Sequence, residues 1–213
     1  MLPIYVAYDS GIDNLEARAI TEALVEFRKL FPEREIVNYG SRTWSEGDYS
    51  SADWYVEKAE RVLNCTEDGL QIQIDARSLV GLLANEPWQE DDPHIDILLT
   101  SMDLTANDLN FCFGLASGRT TVQSVIRYRG LPTADRRLIV KALIHHELGH
   151  ILGCTYYGRA NTEDKLGPHC TDQNCVVRQG MTVREFLENA KAATRFRRIY
   201  CPQCLAEARR SKI

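Results

Sequence analysis

The hydrophobic pattern changes period repeatedly along the first half of the chain. Residues 3–8 (PIYVAY) predict a strand, and from Asn14 to Leu30 the apolar positions Leu15, Ile20, Ala23, Leu24, Phe27 and Leu30 recur at helical spacing. A strand followed by a helix opens an α/β layer. Residues 35–39 read as a second strand, with a polar loop to about residue 48. The stretch 49–63 then sets Ala52, Tyr55, Val56, Ala59, Val62 and Leu63 on one helical face. Leu70, Ile72 and Ile74 alternate with polar residues over a short strand, and residues 76–84 suit a helix ending near Pro87.

Residues 86–94 (EPWQEDDPH) read as a polar loop with two prolines, and 95–100 as a buried strand. Two further strands, 110–116 (NFCFGLA) and 120–128 (TTVQSVIRY), flank a Ser117-Gly118 turn. Pro132-Thr133 offers an N-cap, with Asp135 in the first turn where its charge suits the helix dipole, ahead of a helix running to about Gly153. Beyond it the chain becomes irregular and cysteine-rich, with helical stretches expected near 183–196 and after Cys204. Five or six strands alternating with helices predict an α/β fold, a mixed twisted sheet packed with helices.

The chain's 213 residues allow one domain, or a domain with a small appendage. We expect an N-terminal α/β subdomain over 1–153 and a C-terminal cysteine-rich subdomain over 154–213. No run approaches the roughly 20 apolar residues of a membrane span, and the start MLPIYVAYDSG has neither a basic n-region nor a sustained apolar h-region. A cytoplasmic monomer without membrane partners is the expectation. The net charge of -5 argues against nucleic acid, although the tail from Lys191 carries seven Lys or Arg against the single Glu207.

Chemistry concentrates at residues 145–170, HHELGHILGCTYYGRANTEDKLGPHC. His146, Glu147 and His150 form H-E-x-x-H, whose four-residue spacing brings both imidazoles to one face of a helix with the carboxylate beside them. Such a set binds zinc and hydrolyses peptide bonds, Glu147 acting as base toward a zinc-bound water. His145 is turned off that face and reads as an outer or surface residue.

A catalytic zinc ordinarily takes three protein ligands, and the third must come from elsewhere. In the metzincin pattern a histidine follows three residues after the turn glycine; Gly153 is in place, but Tyr156 stands where the histidine should be. His169, before Cys170, is the leading choice. Glu163, Asp164, Glu185, Glu188 and Tyr156 remain open as rivals, and His94 would need a different topology. Cys170, Cys175, Cys201 and Cys204 form two short-spaced pairs of the kind that hold a structural zinc.

The order HExxHxxG, His169-Cys170, four residues, Cys175, Met181 and a final Cys201-x-x-Cys204 resembles the archaemetzincins, as does the upstream segment LLTSMDLTANDLNFCFGLASG at 98–118. The resemblance implies a metzincin-like zinc peptidase with two zinc ions. His146, His150 and His169 would hold the catalytic ion, Glu147 would be the base, and the four cysteines would hold the structural ion. It implies a peptide or protein substrate laid along residues 113–116, where Gly114 offers close approach. Two departures stand out. Tyr156 and Tyr157 occupy the family's usual His-Cys, so about 13 residues look inserted before His169, and Val177 replaces the Met-turn methionine. Met181, the nearest substitute, is either that residue or ordinary core.

Two rival readings use the same residues differently. The late cysteines and Arg195, Arg197, Arg198, Arg209 and Arg210 could form a zinc-ribbon adaptor that binds nucleic acid. Alternatively, the metzincin fold persists around an occluded, inactive zinc.

Overall fold

The computed structural model describes residues 1–66, 69–106, 109–195, 198–211 and 213. In chain order the strands are β1 (Ile4–Tyr8), β2 (Ile36–Gly40), β3 (Arg61–Thr66), β4 (Gly69–Asp75), β5 (Ile95–Thr100), β6 (Leu104–Thr105), β7 (Gly114–Ser117), β8 (Thr120–Ser124), β9 (Thr162–Asp164) and β10 (Pro168–Cys170). The helices are α1 (Asn14–Leu30), α2 (Ala52–Lys58), α3 (Ala76–Ala84), α4 (Trp88–Asp91), α5 (Thr133–Ile151), α6 (Val183–Arg195) and α7 (Pro202–Arg210). None of the described helices is long and apolar enough to cross a membrane.

The central sheet has the order β2-β1-β5-β8-β7. Its first four strands are parallel, and β7 pairs antiparallel to β8 at one edge. The alternation of β5 explains the two cores it divides. Ile95, Ile97 and Leu99 face a cluster that holds α1 and α5, whereas Leu98 faces a second cluster with α2 and α3. Residues of α6 and α7 join the first cluster through Phe186, Ala190, Cys204 and Ala208. A second sheet, β3-β4-β6, and the hairpin β9-β10 complete the strands.

The first core positions α5. Its buried residues include Ile139, Val140, Leu143, Ile144 and Leu148, which pack with Ala19, Ile20, Ala23 and Phe27 of α1. Charges lock the register beside that seam. Buried Glu16 receives Arg136 at 2.6 Å and Arg129 at 2.9 Å, Glu22 pairs with Arg137, and Lys141 reaches Glu26 at 2.5 Å. Asp13 and Glu16 also make the capping box that starts α1. Glu16 therefore starts one helix and anchors the next.

Several expectations shift. The predicted helix over 49–63 stops at Lys58, and Val62 and Leu63 belong to β3, which pairs antiparallel with β4. Leu63, Leu70 and Ile72 point outward, at 69%, 75% and 60% exposure, while Gln73 and Ile74 are buried. The stretch 86–94 contains the single turn α4, and Glu86, Gln89 and His94 within it are buried. The strand over 110–116 begins at Gly114, and that over 120–128 ends at Ser124 before a 3-10 turn. Pro132 caps α5 without a side-chain hydrogen bond, and α7 begins at Pro202, ahead of Cys204. Phe196, the expected end of the 183–196 helix, lies outside the described residues; α6 reaches Arg195.

Candidate functional site

His146, Glu147 and His150 project from the last two turns of α5, where the helix is buried nearly all round. His169 comes from β10, the returning strand of the β9-β10 hairpin. The Nε2 atoms converge: His150 Nε2 is 3.2 Å from both His146 Nε2 and His169 Nε2. Hydrogen bonds fix the other ring nitrogen in two of them. His146 Nδ1 meets the Val176 carbonyl at 2.9 Å and His169 Nδ1 meets the Gly167 carbonyl at 2.9 Å. A donor Nδ1 leaves each Nε2 with its lone pair toward the shared point, the arrangement that a metal-binding imidazole requires.

Burial favours the same protonation. It pushes His146 down to about 3, with His169 adding repulsion, and it holds His150 and His169 below the ordinary imidazole range. Three neutral imidazoles around one point, with no carboxylate among them, fit a divalent zinc or a similar borderline ion.

Two glycines make the site possible. A Cβ on Gly149 would lie 2.6 Å from Val177 Cγ2, so only glycine lets residues 176–177 cross α5 closely enough for the Val176 carbonyl to reach His146. A Cβ on Gly114 would lie 2.5 Å from Glu147 Oε1. The close approach expected at Gly114 is thus made by the Glu147 carboxyl, which is buried against β7; burial raises its pKa to about 8.

The cleft beside these groups has a volume of about 550 Å³. Phe113, Gly114, Leu115 and Ala116 of the β7 edge form one side, and Thr155, Leu166, Gly167 and Pro168 form another. The two ends of the segment 154–168 therefore border the cleft, while its middle lies outside the lining. Tyr156 and Tyr157 are 49% and 69% exposed and do not line the cleft. The other rivals are also turned elsewhere: Glu163 and Asp164 are exposed, Glu185 accepts from the Met181 amide at 2.8 Å, and Glu188 pairs with Arg184.

Cys170, Cys175, Cys201 and Cys204 bring four buried sulfurs within 4.8 Å of one another. Backbone amides already point at two of them, Cys201 N at Cys175 Sγ and Cys204 N at Cys201 Sγ, each at 3.4 Å. The S–H groups of Cys170, Cys175 and Cys204 pull the Cys201 thiol far below its usual range, while Cys170, Cys175 and Cys204 are pushed up. One thiolate can exist there unaided; four need a cation, which is the donor set of a closed zinc site. All six cysteines whose side chains are described are free.

Two residues of this region escaped the sequence reading. Arg159, 6% exposed, donates to the Cys154 carbonyl and lies 3.3 Å from Cys204 Sγ, tying the inserted segment to the sulfur cluster. Phe186 is buried with its ring 5.4 Å from that of His146, in the role of apolar support considered for a methionine. Met181 is 37% exposed and lines the cleft, so it is neither core nor a buried base, and Val177 is fully buried instead. His145 is not at the surface: at 2% exposure it faces α1, stacked 6.3 Å from Phe27 and 3.6 Å from Glu26.

No protein-family profile and no curated protein matches the chain. Solved structures do. The archaemetzincin from Methanopyrus kandleri superposes with a TM-score of 0.66 at 20% identity, over 99% of this chain and 94% of that one. The archaemetzincin from Archaeoglobus fulgidus, complexed with malonate, gives 0.59 at 20% identity over 97% and 99%. A zinc-dependent peptidase from Methanocorpusculum labreanum gives 0.60 at 17% identity over 96% and 99%. The chain has the archaemetzincin fold along nearly its whole length.

Proposed function

We propose that the chain is a zinc metallopeptidase of the metzincin type, with His146, His150 and His169 on a catalytic zinc and Cys170, Cys175, Cys201 and Cys204 on a structural one. The observation that carries this reading is the convergence of three Nε2 atoms beside a buried carboxyl at the free edge of β7. The names of the fold's neighbours agree with it.

Zinc bound by three imidazoles supplies Lewis acidity toward a carbonyl and lowers the pKa of water. The remaining work falls to the chain. Residues 113–116 offer edge-strand amides and carbonyls that pair with an extended peptide and lay its scissile bond over the histidines. Glu147, held against Gly114 and raised to about 8 by burial alone, would be favoured as the carboxylate by a cation on the histidines and would then take a proton from water and pass it to the leaving amine. The surrounding apolar wall of Phe113, Leu143, Pro168 and Phe186 limits competing water. The four cysteines fix β10, and so the position of His169.

The adaptor reading leaves the three converging histidines unexplained, and its basic residues Arg195, Arg198 and Arg209 are exposed surface charge. Lys191 pairs with Asp135 at 2.8 Å and Arg210 with Glu207 at 3.2 Å, while Arg197 lies outside the described residues. The decisive test is Glu147→Gln assayed on a peptide library. Metal content and fold should be unchanged, and hydrolysis should fall by at least about 100-fold, the usual contribution of a general base. Wild-type rates in that variant would remove Glu147 from the chemistry.

A further inference from the structure

Away from the cleft, at the start of β5, which β8 separates from β7, three more donor groups meet. Glu86 follows α3, and His94 and Asp96 lie at the start of β5; they are 4%, 1% and 7% exposed. His94 Nε2 is 2.8 Å from Glu86 Oε1 and 3.0 Å from Asp96 Oδ1. Each outer atom of the trio is already bound. Tyr55 donates its hydroxyl to Glu86 Oε2, Gln89 Nε2 donates to Asp96 Oδ2 at 2.5 Å, and His94 Nδ1 meets the Asp92 carbonyl at 2.5 Å. All three outward bonds turn the remaining atoms toward one point, as the outer partners of metal ligands do.

Two further observations separate this trio from an ordinary buried ion pair. Glu86 Oε1 is buried and has no hydrogen-bond partner beyond the His94 Nε2 that lies 2.8 Å away. The charge is also unbalanced. Two carboxylates face a single imidazole in a place that no Lys or Arg lines, so acidic groups outnumber basic ones there. A divalent cation would cancel both carboxylates.

We propose that Glu86, His94 and Asp96 form a third metal site, for a divalent transition ion such as manganese, cobalt or zinc, whose preferences match one imidazole and two carboxylates. It opens on a cavity of about 270 Å³, lined by Tyr5, Tyr39, Trp44, Tyr55 and Trp88 together with Asp92, which leaves room for further oxygen ligands. The Tyr5 ring stacks 4.4 Å from that of His94 and covers it. The ion would tie the 86–94 segment to β5.

The three tryptophans supply the assay. Trp44 and Trp88 line this cavity, Trp54 packs 5.2 Å from Tyr55, and none lines the peptide cleft. The experiment combines metal analysis of the purified chain with tryptophan fluorescence during titration by Co²⁺, in wild type and in the near-isosteric Glu86→Gln and Asp96→Asn. A third equivalent of metal is expected, either present on isolation or taken up as cobalt with saturable 1:1 quenching. Both variants should lose it, with affinity down at least tenfold, whereas Glu147→Gln keeps it. Two equivalents of metal and no saturable quenching in wild type would overturn the site and leave an ion pair only. Because wild type alone decides that outcome, poor folding of a variant does not rescue the proposal. The baseline of two other ions rests on the proposed function, whereas the saturable quenching beside Trp44 and Trp88 does not, so failure of the peptidase reading would leave the fluorescence result untouched.

Discussion

The histidine and cysteine clusters are consecutive in sequence at His169-Cys170 yet opposite in character. The histidines supply three donors at the wall of an open cleft; the cysteines supply four, fully enclosed in the main core. An open position and a closed shell are what distinguish chemistry from scaffolding at zinc. The difference also lies in what supports each. Val176 and Gly167 carbonyls orient imidazoles so that lone pairs face one point, whereas amides of Cys201 and Cys204 point at sulfur to support negative charge.

Cys175→Ser should separate the two most strongly. Removing one thiolate of an enclosed set should cost on the order of 5 kcal/mol, because structural zinc contributes folding energy directly. Urea unfolding with metal analysis measures it, and wild-type stability would make the cluster dispensable. His169→Ala should instead leave a folded chain that has lost the cleft metal, with affinity there down more than about 100-fold, since even outer partners of a ligand contribute 10–100-fold. Retention of that metal would reassign the third ligand.

Acid should expose the metal-free histidine side. Burial holds His145, His146, His150 and His169 below their unfolded pKa of about 6.5, so the unfolded chain binds more protons in the interval. Stability is then fully present above about pH 6.5 and falls as pH drops toward the folded values, about 3 for His146. Each such histidine contributes a slope of up to about 1.4 kcal/mol per pH unit, offset in part by Glu147, raised to about 8, and Asp96, raised to about 6, which act with the opposite sign. Unfolding free energies of chelated protein between pH 7 and 5 would reveal the trend, and a flat profile would contradict it. Gly149→Ala should cost about 1–3 kcal/mol by overpacking against Val177 and weaken the cleft metal more than the thiol-bound one. Tyr156→Phe should be silent, within about 0.5 kcal/mol, as for other exposed positions.

Local rules made much of this molecule legible. The range of α1 follows from its apolar spacing, and α5 carries its motif where the spacing placed it. Residues 49–63 failed because Val62 and Leu63 fit a helical face and a strand equally well; pairing with β4 decides between them. On β4 the period-2 pattern predicts a strand but not its sense, since Gln73 is buried by bonds to Asp103 and Asn110 that no local pattern announces. The same holds for Glu86, Gln89 and His94, polar residues of a largely exposed loop that are buried because Tyr55 and Asp96 satisfy them from other elements. Arg159 carries no local signal, because its partners Cys154 and Cys204 come from either side of it.

Strand β10 has one further consequence. Successive residues of a strand point to opposite faces, so His169 and Cys170 send adjacent side chains into two separate clusters through one peptide unit. Filling either cluster narrows the positions open to the other. Thermodynamic reciprocity then applies: whatever factor the sulfur-bound ion adds to affinity at the histidines, an ion at the histidines returns to the sulfurs. On the proposed two-zinc reading, the hairpin that carries the third ligand would thus also be a lever between loading events.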